Sequence, residues 1–338
     1  MMIDIQQVEE RDLNQGMLLL RHEFAKRGWT AQLAYLRSPH CFVDRGDGVP
    51  IHIFSTTPPT TSYAAAYLAN DKYGTYELLR AANVRQLRSV VAGEKYDITD
   101  ARALMNEVGS VVVKPIDGGH GKGITVGVTT NEMLDAAVVY GLSFTKSLTR
   151  VIVQEQYTHK DTYDIRISCI DGKFVAAILR VAARIYGDGV HTVKEIVENE
   201  NNSSRRGEPY YAPLAMINEE RAASYLGEKY TSVPAEGEEV KVLGIANYGA
   251  GGELVDVTDD IPLWMKEEAE RVSVAAGLGV CGVDYMTAVL PSQEASAEQL
   301  DAVVIELNKC PSLAIHDAPT YGRPRGAVAA YVDYLATI

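Results

Sequence analysis

The stretch Val111 to Val126, VVVKPIDGGHGKGITV, limits what this chain can fold into more than any other. A β-branched run ends at Lys114 and Pro115, a glycine-dense turn follows, and Ile124-Thr125-Val126 resumes a strand pattern, which predicts strand, loop, strand. Gly118, Gly119, Gly121 and Gly123 can take positive φ and bring bare backbone N–H groups close to an anion, while Lys114 and Lys122 add positive charge. An ordinary glycine-rich hairpin fits the same letters, and a short glycine motif alone does not separate the two.

Two other phosphate loops are excluded by context. A Walker loop needs Ser or Thr after its Gly-Lys and then a helix, whereas Gly123 follows Lys122 and the chain returns to a strand. The GxGxxG at Gly277 to Gly282 follows a helical stretch and leads into a strand, the reverse of dinucleotide-fold order.

A length of 338 residues with 46% hydrophobic content allows a sizeable core in two or three lobes. The formal charge of -13, from 32 basic and 45 acidic residues, argues against a nucleic-acid surface but leaves room for a local basic cleft. Apolar runs are too short for a membrane span, and the N-terminus MMIDIQQVEERD is acidic, so a cytoplasmic protein without a membrane partner is expected. Cys41, Cys169, Cys281 and Cys310 lie far apart without CxxC pairing, which suggests reduced thiols.

In chain order, residues 1–70 read as a small α/β lobe, with a helix around Leu13 to Arg27 and short strands at Cys41 and Ile51. Residues 71–153 read as a small α+β lobe: a helix starting near Lys72, a second at Thr99 to Val108 capped by Thr99, the glycine hairpin, and a helix opened by the capping box Thr129-Thr-Asn-Glu132. Residues 154–338 form the large lobe. There Asp164-Ile-Arg166-Ile-Ser168 and Phe174 to Arg180 flank an Asp171-Gly172 turn, so Asp164, Arg166 and Arg180 can share one face; cross-strand ion pairs on a solvated face fit equally. Thr192 caps a short helix, NENNSSRRG (199–207) reads as mobile, a strand is expected at Glu239 to Ala246, and a helix from Asp259 or Asp260 to Ala276.

Glu306 and Asn308, two apart on an expected strand, project to one side. If Asp284 faces them from a partner strand, three oxygen donors converge in a set suited to Mg²⁺ rather than zinc; acidic residues at strand ends are otherwise simply solvated. No GxSxG elbow or other nucleophile arrangement is present.

Taken together these pieces resemble the ATP-grasp superfamily of carboxylate–amine ligases. The resemblance runs in order through Asp71-Lys72 with Thr75, Val113-Lys114-Pro115, Asp117 to Gly123, Gln154-Glu155, Asp164-Ile-Arg166, Arg180, Asp284 and Glu306-Leu-Asn308, and covers roughly Asp71 to Gly326. The spacing from Gln154 to Arg180 is similar to that of ribosomal-protein glutamate ligases. Gly187 to Val193, Gly251 to Thr258 and His316 to Arg325 look more like the ATP-grasp modules of cyanophycin synthetase and bifunctional glutathione synthetase. Asn308-Lys-Cys-Pro-Ser312 and Asn247-Tyr-Gly-Ala-Gly-Gly depart from the family's Asn-x-x-Pro-Gly and Asn-x-Ser-x-Gly-Gly, so neither relative's substrate carries over. The chain has room for neither relative's extra domain and reads as a free-standing ligase.

The resemblance implies an α+β ATP-grasp fold in which two lobes grip ATP, preceded by the small α/β lobe. It implies that Lys72 and Lys114 contact phosphates; that Gly119, His120, Gly121, Lys122 and Gly123 close over them; that Glu155 and Tyr157 face adenine; and that Asp164 approaches the nucleotide. Asp284, Glu306 and Asn308 would hold Mg²⁺, or Mn²⁺ in its place, and Arg180 would steady an acyl phosphate. Arg166, Arg184, His191, His316 and Arg323 are candidates for substrate carboxylates, although each also fits a surface ion pair. The expected function is ATP-dependent amide formation between an amino-acid or peptide carboxylate and an amine. A metabolite kinase on the same fold and a non-catalytic nucleotide-binding module are the alternatives; partners are small molecules, and a homo-oligomer is compatible with the sequence.

Overall fold

The computed structural model describes residues 2–119, 121–146, 149–244 and 246–338, so the expectation for His120 lies outside the described residues. Near the N-terminus, strands β1 (Ile3–Asp4), β2 (Thr30–Leu33), β3 (His40–Asp44) and β4 (Ile51–Phe54) pair antiparallel in sequence order. Alternation buries Ala31, Leu33, Cys41, Val43 and Ile53 on one face. Against that face lies α1 (Gln15–Lys26), whose cap Asn14 accepts from Met17 N–H at 2.9 Å and which buries Leu20 and Phe24. The lobe does not close its own core. Val328, Tyr331, Val332 and Leu335, from a helix at Ala327–Leu335, complete it.

Next come α2 (Tyr63–Asn70) and α3 (Lys72–Ala81); Asp71 caps the latter by accepting from Tyr73 and Gly74 N–H, and so starts it at Lys72. The small sheet is built from β5 (Ser89–Gly93), β6 (Val111–Pro115), β7 (Thr125–Val128) and β8 (Arg150–Glu155) in the order β5-β8-β6-β7, with α4 (Thr99–Val108) and α5 (Asn131–Leu142) packed on it. Two caps differ from expectation, by two residues and by one. Asp97, not Thr99, covers the start of α4 by accepting from Thr99 N–H at 2.9 Å, and Thr130 rather than Thr129 caps α5.

The large sheet contains β9 (Tyr163–Ile170) and β10 (Lys173–Val181), joined through Asp171 (φ 50°) and Gly172 (φ 68°), the paired positive angles of a tight hairpin turn. An insert follows: β11 (Arg184–Tyr186), α6 (Val193–Asn201), β12 (Arg206–Gly207), β13 (Leu214–Ala215), α7 (Glu219–Leu226) and β14 (Glu239–Lys241), around a small core of Ile185, Val197, Ile217 and Val242. The expected mobile run from residue 199 begins instead inside α6. Buried Asn201 exchanges two hydrogen bonds with the Ile217 backbone, which fixes it. The strand expected through Ala246 ends at Lys241.

The sheet resumes with β15 (Glu253–Asp256), α8 (Leu263–Ala276), β16 (Val280–Thr287), α9 (Ala297–Leu300), β17 (Val303–Asn308), α10 (Ala314–Asp317) and α11 (Ala327–Leu335). Its order β15-β10-β9-β16-β17 is antiparallel throughout. Pro262 is the N-cap of α8, and Gly277 at φ 66° ends the helix before β16, so the discarded glycine motif is a helix C-cap. One face packs α8 on Ile165, Ile167, Cys169, Cys281 and Val283; Leu79 and Val84 join that core, seating α3 on the large sheet. The opposite face carries Asp164, Arg166 and Ser168. All four cysteines are free thiols, and no described helix is long and apolar enough to cross a membrane.

Candidate active site

On the polar face of the large sheet, strand register brings charged residues side by side. Arg166 on β9 lies opposite Asp284 on β16, Asp284 lies opposite Glu306 on β17, and Asp164 on β9 lies opposite Arg180 on β10. Arg166 donates Nε to Oδ1 and Nη2 to Oδ2 of Asp284, both at 2.7 Å. Arg180 bridges: its Nη2 reaches Asp284 Oδ2 at 2.9 Å and Asp164 Oδ1 at 2.5 Å. Burial penalises the Asp284 charge, yet the two guanidiniums outweigh it and hold the carboxyl well below its usual range. For Asp164 burial prevails over Arg180 and pushes the carboxyl up to about 6.

Gly282 explains how long side chains fit here. A Cβ at that position would stand 3.0 Å from Pro311 Cβ and 3.2 Å from Asn308 Cβ, so its bare backbone leaves the space that Arg166 crosses. Beneath them, His316 is 1% exposed and shares a 2.8 Å hydrogen bond with Ser168 Oγ; burial, with Arg166 nearby, takes its imidazole down to about 3 and keeps it neutral.

The small sheet contributes cations. Lys114 projects from β6 and is half-buried at the cavity wall; desolvation takes its ammonium down to about 8 despite the attraction of Glu306. Lys72, the first residue of α3, donates Nζ to Gly118 O at 2.7 Å and is likewise lowered by burial. The hairpin curls because Gly121 and Gly123 both take φ 72°. At Gly123 a Cβ would also meet Phe144 Cβ at 2.7 Å and Pro115 Cγ at 2.8 Å.

Both sets meet in one cavity of about 680 Å³, lined by Lys72, Lys114, Gly119 and Lys122 from the small-lobe side and by Asp164, Arg166, Arg180, Glu306 and Asn308 from the large sheet. That is within the roughly 300–1,000 Å³ of small-molecule sites. Asp284 lies below its surface, fully buried under the arginines.

Among the described residues no three His, Cys, Asp or Glu side chains converge, so the candidate cation set is two carboxylates and an amide. Its chemistry fits a hard divalent cation. Asp284 and Glu306 stand opposite each other on β16 and β17, and Asn308 Nδ2 is buried without a partner, where the amide turned over would present its oxygen.

Other expected positions stand elsewhere. Glu155 meets Arg88 at 3.4 Å, and Tyr157 donates to Asp301 O at 3.0 Å; neither lines the cavity. Arg184 is held by Glu253 and Glu239, exposed His191 by Asp188, and Arg323 by Asp259, while His316 is sealed beneath the sheet. Of the five substrate candidates only Arg166 lines the cavity, and it does so while paired with Asp284. Lining residues that sequence reasoning missed include Asn14, Gln15, Ser55, Thr56 and Tyr210. Only the glycine turn after Asn247 carried a signal in that region; Asn14 and Gln15 open α1 and Ser55, Thr56 and Tyr210 lie on loops, with no periodicity to expose them.

A family model described as prokaryotic glutathione synthetase, ATP-grasp domain, matches residues 85–189. Cyanophycin synthetase of Crocosphaera subtropica is 33% identical over 308 residues, 88% of this chain and 34% of that protein. The glutathione biosynthesis bifunctional protein of Clostridium perfringens is 29% identical over 307 residues, 87% of this chain and 38% of that protein. The chain thus spans about a third of the length of the curated relatives it matches. The crystal structure of a bifunctional glutathione synthetase from Pasteurella multocida shares the fold, with a TM-score of 0.69 at 23% identity over 97% of this chain and 45% of that one. With the glycine hairpin on one sheet facing the carboxylate-bearing strands of another across a single cavity, the chain has the ATP-grasp fold.

Proposed function

We propose that this protein is an ATP-dependent ligase that joins an amino-acid or peptide carboxylate to an amine through an acyl phosphate, releasing ADP and phosphate. One observation carries the reading: Lys72 and Lys114 from one lobe and Glu306 and Asn308 from another line the same cavity. A carboxylate and a triphosphate repel each other, and the two ammonium groups at the cavity wall offset that repulsion where they would meet. Mg²⁺ held by Glu306 and Asn308, and by Asp284 on exchanging its guanidinium partners for the ion, would supply further positive charge to the phosphates.

Arg180 lies at the cavity surface with its guanidinium already oriented by Asp164 and Asp284, so its remaining donors can hold an acyl phosphate oxygen without a search through rotamers. Closure of the glycine hairpin, seated against Lys72 through Gly118 O, would exclude water from that intermediate. We further propose that residues 1–70, 71–153 and 154–338 act as three lobes, and that the protein works in the cytoplasm on small molecules, without nucleic-acid or membrane partners.

Phosphate release measured against paired amino acids, with products weighed by mass spectrometry, tests the ligase reading. Hydroxylamine added to the mixture should yield a hydroxamate. Phosphate transfer to a stable acceptor with no hydroxamate would make the protein a metabolite kinase, and tight ATP binding without turnover on any mixture would make it a nucleotide-binding module.

A further inference from the structure

The cavity has a third wall, supplied by the N-terminal lobe and the insert, where Gln15, Tyr210, Asn247 and Tyr248 stand, with Lys309 just past the end of β17. Residues 208–213 reach this wall as a strap. Its base is fixed by buried Arg206, whose Nη1 donates to Ala215 O at 2.9 Å and Gly251 O at 3.1 Å. On its outer side Arg37 pairs with Glu208 at 3.2 Å and lies 4.6 Å from the centre of the Tyr211 ring. On its inner side the Gln15 backbone N–H donates to Tyr210 O at 2.8 Å, and its Nε2 donates to Ala212 O at 2.9 Å.

Between these clamps Tyr210 holds φ 69°, a conformation that a bulky residue keeps only where its surroundings impose it. Its ring tilts against that of Tyr248 with centroids 5.6 Å apart, and the Tyr248 hydroxyl is tied to Gln15 Oε1 and the Ala212 carbonyl. The two phenols therefore form a rigid corner rather than a loose flap.

We propose that this corner is the specificity wall of the site: Tyr210 and Tyr248 seat the side chain of the amino-acid or peptide substrate, and that side chain is uncharged. The inference rests on the ligase reading above. Among the described residues of this wall the one charge is Lys309, and there is no carboxylate; the nearby acids Asp12 and Glu208 are both engaged by Arg37. A cationic side chain entering here would lose its water and find no anion in exchange, whereas an apolar, aromatic or amide side chain meets phenol faces and amide groups. Lys309 remains to meet the substrate's own carboxylate.

The test uses the full chain carrying Tyr210→Trp, with wild-type protein correcting for Trp29 and Trp264. Fluorescence is followed while a non-hydrolysable ATP analogue, and then single amino acids, are added. The expected result is a change in emission with neutral amino acids and none with the nucleotide analogue alone. In parallel, Tyr210→Ala should alter the ratio of kcat/KM between small and bulky neutral side chains by about tenfold or more, with the KM for ATP unmoved. Emission that follows the nucleotide alone, or a wild-type ranking headed by arginine or lysine, overturns the proposal. Turnover whose ranking Tyr210→Ala leaves unchanged sinks the wall and spares the ligase; an emission response to neutral amino acids with no turnover on any mixture does the reverse.

Discussion

Arg166 and Asp284, neighbours across β9 and β16, are joined by two hydrogen bonds of 2.7 Å, and the carboxylate between Arg166 and Arg180 is completely shielded from solvent. Removing it strands two guanidiniums without their anion. Asp284→Ala is therefore expected to lower stability by about 3 kcal/mol or more, read from urea unfolding, and to abolish phosphate release. Asp284→Asn keeps the shape and should lose less stability with the same loss of turnover.

Glu306 and Asn308 are only partly buried and face the cavity, so removing either leaves the sheet's core untouched. Glu306→Ala and Asn308→Ala should each reduce turnover by about a hundredfold or more while unfolding close to the wild-type temperature. Full activity in either variant removes it from the proposed cation set.

Lys114 sets a pH dependence whose sign follows from its burial. Its ammonium titrates near 8 in the folded chain against an ordinary 10.5, so it is charged below pH 8 and loses its proton above. Nucleotide affinity should be full below pH 8 and weaken above it, and Lys114→Arg should flatten that profile in a fluorescence titration. Between about 8 and 10.5 the unfolded chain binds more protons at this group than the folded chain does, so its contribution to stability rises with pH over that window.

Gly123 has no room for a methyl group between Phe144 and Pro115 and holds a positive φ as well. Gly123→Ala should cost about 1–3 kcal/mol, expressed in the small lobe. Limited proteolysis would show earlier cleavage near the hairpin, and turnover should fall with the hairpin's loss of shape.

What was legible in the sequence was local. Asp171-Gly172 announced the β9–β10 hairpin, Asp71 the start of α3, and the alternation Asp164, Arg166, Ser168 the polar face, because each rests on two or three adjacent letters. Placing Asp284 between Arg166 and Glu306 depends on register across three strands distant in sequence, which pattern alone only raises as a condition. The strap was invisible for a related reason. Tyr210 sits in Glu208-Pro-Tyr-Tyr-Ala-Pro213, a run with no period, and its position comes from Gln15 and Arg37, far away in the chain. Arg184 and Arg323 misled because motif order cannot show that Glu253 and Asp259 already occupy them.

The unfinished core of the N-terminal sheet has a consequence for biosynthesis. Strands β1 to β4 leave the ribosome well before Val328, Tyr331, Val332 and Leu335, which are translated only after both the small and the large sheet. Until then the nascent lobe exposes the apolar face they will cover, so its closure waits on the synthesis of the two sheets that lie between.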